Sequence, residues 1–312
     1  MKDKRKNVAQ SVRDRLRTVT VRLRLDYNLV LTRYVLERLL YRLSVSSQRD
    51  RFALKGAMLF VVWTTDIIRP TQDLDLLGFG DSDLDALRDA FRDIMGTPVA
   101  DDGVVFDLDS VRAEPIRAEQ LYDGVRVSAR SFIGTARVPI QIDIGFGDAV
   151  TPSLEEQEYP ALLDAPAPRL KTYPRETVIA EKLEAIVDIG TRTSRMKDYY
   201  DLLSMARLFS FVGQTLSQAI RATFARRETE LPNTVPPALS QDFAADMDAM
   251  ERWNAFVRRT PLLIDPPDLA GVVEEITRFV MPPTIAAASG KSFAQNWRPS
   301  EGWTVEVPDE RT

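Results

Sequence analysis

Asp73 and Asp75, separated by one residue in D-L-D-L-L-G-F-G (73–80), are the first side chains in this chain spaced for chemistry. On a strand, residues i and i+2 share a face, so the two carboxylates stand roughly 6–7 Å apart while Leu74 and Leu76 point the other way. Like charges so placed repel unless cations lie between or beside them. Asp143 supplies a third carboxylate on the polar face of another strand, the alternating run V-P-I-Q-I-D-I-G-F (138–146). If the two strands pair, three carboxylates converge, which suits two divalent ions about 3.5–4 Å apart. A D-x-D pair alone is a weak signal, because acidic surface strands are common.

Context strengthens it. Gly56 sits between an apolar strand and an apolar segment, where it permits a sharp turn and lets backbone N–H groups face a phosphate. Arg69, in R-P-T (69–71), can pair with phosphate or with the acidic face. A plain turn at Gly56 and a surface ion pair at Arg69 are the simpler alternatives. Further on, A-E-K-L-E-A-I-V (180–187) places Lys182 at the margin of a helical stripe of Ile179, Leu183, Ile186 and Val187, with Glu181 and Glu184 away from it. A marginal Lys often only snorkels, yet Lys is scarce here, with 8 among 41 basic residues. In R-M-K-D-Y-Y-D-L-L (195–203), Asp198 lies at the edge of the apolar stripe and Asp201 more outward. Either can be simple helix N-terminal charge.

The composition narrows the chemistry. The chain has 312 residues, 44% hydrophobic and 28% charged, an ordinary globular balance that fits two domains. With no Cys and no His, disulfides, thiolate or imidazole metal ligands, Cys nucleophiles and His-dependent triads are all excluded. Carboxylates alone favour hard cations such as Mg²⁺. The net charge of −5 is uneven, since residues 1–51 carry 14 Lys and Arg against 5 Asp and Glu. Such a basic arm suits a polyanion, and a solvated helical surface is the equal alternative. No segment approaches the ~20 apolar residues of a membrane span, and the start M-K-D-K-R-K-N has no apolar stretch behind it. A cytoplasmic protein is expected.

The elements that must position these residues follow from periodicity. Residues 8–45 read as one long helix or two consecutive ones, 52–56 as a short strand, 57–65 as an apolar helix or strand, and 73–80 as a strand. A helix over 83–95, capped by Asp81 or Ser82, precedes strands near 104–109, 124–132 and 137–146. The Pro- and acid-rich stretch 151–174 reads as a boundary. Helices are expected at 175–189, 196–210, 212–227, 236–258 and 267–280, then an extended arm. The expected division is therefore a core at 1–150, a mainly helical domain at 151–281 and a tail at 282–312.

Taken together, L-K-G-A-M-L-F (54–60), R-P-T-Q-D-L-D-L-L-G (69–78), Q-I-D-I-G-F-G-D (141–148), A-E-K-L-E-A-I-V (180–187) and R-M-K-D-Y-Y-D-L (195–202) resemble the nucleotidyltransferase toxins of the AbiEii/AbiGii family, within the DNA polymerase β-like superfamily. The resemblance covers roughly residues 20–230. It implies an α+β fold, a small mixed sheet flanked by helices with a helical C-terminal half. It also implies roles: Asp73, Asp75 and Asp143 as metal-binding acids, and Asp73, Asp75, Lys182 and Asp198 as catalytic residues, with Asp201 the alternative to Asp198. Lys55, Gly56, Arg69, Thr71 and Lys182 are the implied nucleotide contacts. One departure is that Gly56 is followed by Ala57, where superfamily members often carry a hydroxyl residue.

The activity so implied is transfer of NMP from an NTP to an RNA hydroxyl, with tRNA 3′ ends the favoured acceptor and pyrophosphate released, using Mg²⁺ or Mn²⁺. The expected setting is a toxin–antitoxin or phage-defence system whose antitoxin carries a helix-turn-helix domain. Nucleotidylation of a protein or small molecule, and a silent nucleotide-binding module, are the rival readings.

Overall fold

The computed structural model describes residues 2–116 and 124–305, with side chains described from Val8 onward. The first basic side chains of the expected arm and the tail from residue 306 lie outside the described residues. The chain forms two compact units, Met1–Gly147 with Glu155–Thr172, and Asp148–Leu154 with Tyr173–Thr312.

The first unit begins with two helices, α1 (Lys2–Leu23) and α2 (Tyr27–Val45), which settles the choice left open for residues 8–45. Ala9, Val12, Leu16 and Val19 recur at three- and four-residue steps and are buried. Asp26 caps α2 by accepting from the Asn28 N–H at 2.8 Å. Part of the basic N-terminal charge is consumed internally. Arg38 is buried against Glu37 at 2.6 Å, and Arg42 holds Asp102 through two hydrogen bonds of 2.7 and 3.1 Å. These two arginines are structural, so the surface reading of the basic arm holds only for exposed residues such as Arg15, Arg22 and Arg24.

The sheet strands of this unit are β1 (Phe52–Lys55), β2 (Asp73–Gly78), β3 (Val104–Pro115), β4 (Gly124–Ile133), β5 (Ala136–Phe146), β6 (Glu155–Glu158) and β7 (Arg169–Thr172). A 3-10 turn at Gly56–Met58 and the helix α3 (Leu59–Thr64) follow β1, and α4 (Leu84–Gly96) follows β2. The order across the sheet is β3-β4-β5-β2-β1-β7-β6. β2–β5 and β1–β7 run parallel, and the other neighbours antiparallel. In β5, Val138, Ile140, Ile142 and Ile144 are buried while the residues between them are not, so the sequence alternation sets the faces. Helix α4 buries Leu87, Ala90, Phe91, Ile94 and Met95. Its cap is Asp83, accepting from Ala86 N–H at 2.8 Å, rather than Asp81 or Ser82.

The expected boundary at 151–174 is corrected. Residues 155–172 return to the first unit as β6 and β7, because Leu170 and Thr172 bury their side chains while β7 pairs with β1. The charged strand E-E-Q-E gave no alternation to read.

The second unit contains α5 (Arg175–Ile189), α6 (Met196–Leu208), β8 (Phe211–Val212), α7 (Gly213–Arg226), α8 (Gln241–Ala245), α9 (Met247–Arg259), α10 (Leu269–Ser289), β9 (Gln295–Arg298) and β10 (Gly302–Val305). The single helix expected over 236–258 is broken, since Ser240 and Asp246 each cap a new helix by accepting a backbone N–H. The extended arm is also corrected. Helix α10 runs through Pro282 and Pro283 to Ser289, and β9–β10 form a hairpin that pairs with β8.

Two prolines inside a helix each remove an N–H donor. Pro283 would leave the Phe279 carbonyl without its helical partner, and the Trp303 indole N–H donates to that carbonyl at 2.9 Å. Trp297 likewise donates to the Ala206 carbonyl near the end of α6 at 2.7 Å. Phe279 packs among Phe211, Trp297 and Trp303, with ring centroids 4.8–6.1 Å apart. The hairpin thus replaces a bond the prolines removed. Among the described residues, no helix is long and apolar enough to cross a membrane.

Candidate active site

In the first unit the acidic residues lie on neighbouring strands. Asp73 and Asp75 are half-buried on β2, alternating with buried Leu74 and Leu76. The parallel pairing of β2 with β5 sets Asp75 beside Asp143 and Asp73 beside Gln141. Paired residues share a face, so the three aspartates stand on one side of the sheet as the sequence expects.

Gly56 is fixed by the same arrangement. Its φ is +75°, a conformation that favours glycine, and a β-carbon there would lie 2.0 Å from Oδ2 of Asp75. The turn after β1 and the Asp75 carboxylate therefore occupy adjoining space. Lys55 is directly opposite Asp75 across β1–β2. Thr71 Oγ1 lies 3.5 Å from the Asp73 N–H, closing a small turn into β2. Arg69 and Thr71 border a small apolar pocket with Leu25, Leu29, Met58 and Val61.

A cleft of about 720 Å³ opens beside Asp73. Asn28, Thr32, Gln72, Ser128, Arg137 and Gln141 give it hydrogen-bonding groups, and Leu29, Val138 and Ile140 give it apolar surface.

One residue of this face had no place in the sequence reading. Arg126, on β4, is opposite Asp143 and grips it with Nε to Oδ1 and NH2 to Oδ2, both at 2.9 Å. Its guanidinium is held above its usual value, first by the hydrogen bond to Asp143 and also by the charges of Asp143, Asp73 and Glu114. A lone Arg on a strand has no motif spacing. Only the alternation V-R-V-S-A-R-S (125–131) marks Arg126 as lying on the polar face.

Hard carboxylate oxygens are the donors a small divalent cation prefers. Asp73 and Asp75 present two on one face. Among the described residues, however, no group of three acidic side chains is close enough to hold a metal ion. Asp143 is in register but engaged by Arg126. The residues fit an ion held by two aspartates, with its other positions open to oxygen ligands of a substrate.

In the second unit Lys182 of α5 meets two acids of α6. Its Nζ lies 2.9 Å from Asp198 Oδ1 and 2.6 Å from Asp201 Oδ2. Arg195 Nε adds a 2.5 Å contact to Asp198 Oδ2. The expectation that Asp201 points outward is corrected, since both carboxylates are fully buried and Lys182 is nearly so. Residues i and i+3 share a helix face, and the ammonium draws both acids inward. Burial pushes the Asp198 carboxyl upward, but the charges and hydrogen bonds of Lys182 and Arg195 outweigh it and hold the group well below the ordinary carboxylate range.

Glu184 is corrected too. It is buried, accepting from Arg227 and from the Thr229 hydroxyl, each at 2.6 Å. Arg227 also lies 3.6 Å from Glu181 and 3.8 Å from Asp148. Its partners come from distant stretches, so no local periodicity could reveal this network.

A family model described as "Nucleotidyl transferase AbiEii toxin, Type IV TA system" matches residues 38–275. No curated protein matches the chain. Among solved structures, a Helicobacter pylori protein whose description proposes a nucleotidyltransferase is 13% identical, with a TM-score of 0.48, covering 85% of this chain and 97% of its own. JHP933 from Helicobacter pylori is 14% identical, also with a TM-score of 0.48, covering 85% of this chain and 94% of its own.

Proposed function

Because this chain belongs to the AbiEii nucleotidyl transferase toxin family of type IV toxin–antitoxin systems, as its five sequence blocks implied, we propose that it moves NMP from an NTP to a hydroxyl of RNA, the 3′ end of tRNA being the favoured acceptor. The acceptor oxygen bonds to the α-phosphorus, the bond from that phosphorus to the bridging oxygen breaks, and pyrophosphate leaves with the electron pair. The acceptor proton passes to a carboxylate or to solvent.

The observation that carries this reading is the acidic edge of β2 set against the glycine turn after β1. Asp73 and Asp75 would hold a divalent ion, Mg²⁺ or Mn²⁺. When bound, that ion supplies positive charge to phosphate oxygens. Gly56 leaves the backbone of the turn open to a phosphate, with Lys55, Arg69 and Thr71 as further contacts. The cleft beside Asp73 has the volume and the amide groups that a nucleoside requires. Lys182 and Asp198 are proposed to serve the same reaction, Lys182 by countering phosphate charge. The type IV setting implies a cognate antitoxin, for which a helix-turn-helix protein is proposed, and phage defence is the proposed role.

Incubation with each labelled NTP, together with total tRNA and total protein, tests the acceptor. Label in tRNA that disappears in Asp73→Asn/Asp75→Asn supports the proposal. Label confined to protein or to a small molecule overturns the RNA acceptor. Nucleotide binding without pyrophosphate release overturns transferase activity.

A further inference from the structure

The strand registers place five charged residues in one row across the sheet: Glu114 on β3 opposite Arg126 on β4, Arg126 opposite Asp143 on β5, Asp143 beside Asp75 on β2, and Asp75 opposite Lys55 on β1. Signs alternate at every step but one. Asp143 beside Asp75 is the only like-charged neighbour pair in the row, and such pairs destabilise a sheet unless a cation stands by. Lys55 flanks the pair on one side and Arg126 on the other. Arg126 forms a two-pronged hydrogen-bonded pair with Asp143, the geometry in which a guanidinium holds a carboxylate most firmly. Gln141, whose side chain also approaches Asp143, is the register partner of Asp73.

We propose that Arg126 is a resident cation that holds Asp143 out of the metal's ligand shell, so that this acidic edge takes a single divalent ion, on Asp73 and Asp75. This inference rests on the divalent-ion reading of Asp73 and Asp75 above. It changes the role given to Asp143, from metal ligand to anchor for a fixed positive charge. A guanidinium cannot leave by dilution as an ion can, so part of the charge balance of the site is independent of metal concentration. Arg126 is a positioning residue in this account.

The test is titration of the full-length protein with Mn²⁺, following the free ion by electron paramagnetic resonance, with circular dichroism to confirm folding. Asp143→Asn should leave the number of bound ions at one, with the affinity lowered only as far as the Arg126 charge, now without its carboxylate partner, opposes the ion. Arg126→Met, which keeps the length of the side chain without its charge, should free Asp143 and either add a second ion or tighten binding by about tenfold, the scale expected on releasing a charge-assisted pair. The Arg126→Met/Asp143→Asn double variant should return to wild-type behaviour.

Weaker Mn²⁺ binding in the double variant than in the wild type, two ions in the wild type, or no change in Arg126→Met would each overturn the proposal. If Arg126→Met does not fold, the double variant, which leaves neither charge stranded, decides. Asp73→Asn/Asp75→Asn separates the two levels. Loss of Mn²⁺ there keeps the metal reading whatever Arg126 does, and retention removes the proposed ligands themselves.

Discussion

The α-carbon of Gly56 and the carboxylate of Asp75 are so close that any side chain at position 56 would overlap Oδ2, with an added β-carbon only 2.0 Å away. The glycine is fixed twice, by its positive φ and by its neighbour. The turn and the acid therefore form one unit, and a change in either displaces the other.

Gly56→Ala should fold but lose transfer. A non-glycine residue in the left-handed region costs about 1–2 kcal/mol. The larger effect is on Asp75, since a displacement of about 1 Å in a catalytic group can cost on the order of 100-fold in rate. Thermal melts and labelled-NTP turnover read the two effects separately, and a wild-type rate would show that Asp75 is not needed in its present position.

Asp73→Asn/Asp75→Asn should reduce transfer below detection without lowering Tm. Removing both charges relieves the repulsion along β2 and beside Asp143, which offsets the lost attraction between Asp75 and Lys55, so the melting temperature should hold. A fall in Tm matching the loss of activity would recast the pair as structural.

Lys182→Met removes the cation shared by two buried carboxylates, leaving Asp198 to Arg195, and removing one partner of such a group costs roughly 3–5 kcal/mol. Urea unfolding should show it. Asp201→Asn leaves Lys182 paired with Asp198 and should cost less. Equal losses in the two variants would mean that Asp201 carries as much of the cluster as the lysine does.

Acid sensitivity follows from Asp198. Its folded-state pKa lies well below the ordinary carboxylate value, so it contributes stability that is complete above the ordinary value and is lost as pH falls through it towards the folded value. The Tm of the wild type should therefore begin to drop below about pH 4, where unfolded Asp starts to take up protons. Asp198→Asn should be less stable near neutrality and show a shallower acid slope. An unchanged slope would place the sensitivity in other carboxylates.

The acidic edge was legible because Asp73, Asp75 and Asp143 lie in short alternating strands, where period two assigns faces from neighbours alone. Lys182, Asp198 and Asp201 were legible as residues but not in their burial. A helical wheel sorts side chains by apolar content, and a charged trio that satisfies itself defeats that rule. Arg126 was missed because its significance depends on strand pairing, and β6 and β7 because E-E-Q-E has no apolar face. The helix through Pro282 and Pro283 was missed because a partner 20 residues on restores the lost bond.

That restoration is testable. Trp303→Phe keeps an aromatic ring against Phe279 but removes the N–H that meets its carbonyl, at an expected cost of about 1–2 kcal/mol. Calorimetry should show the loss. An unchanged melting temperature would mean that water serves that carbonyl equally well.

The excursion of residues 155–172 bears on how the gene can be divided. A fragment ending near residue 150 takes β1 without β7, leaving backbone groups that normally bond to be solvated or captured by another molecule, the usual origin of strand-mediated clumping. A fragment starting there carries β6 and β7 without β1, the strand that joins them to their sheet. Split reporters, domain swaps and truncation libraries built on a midpoint cut should give insoluble halves, and a workable dissection must graft 155–172 back onto the N-terminal piece through a new linker.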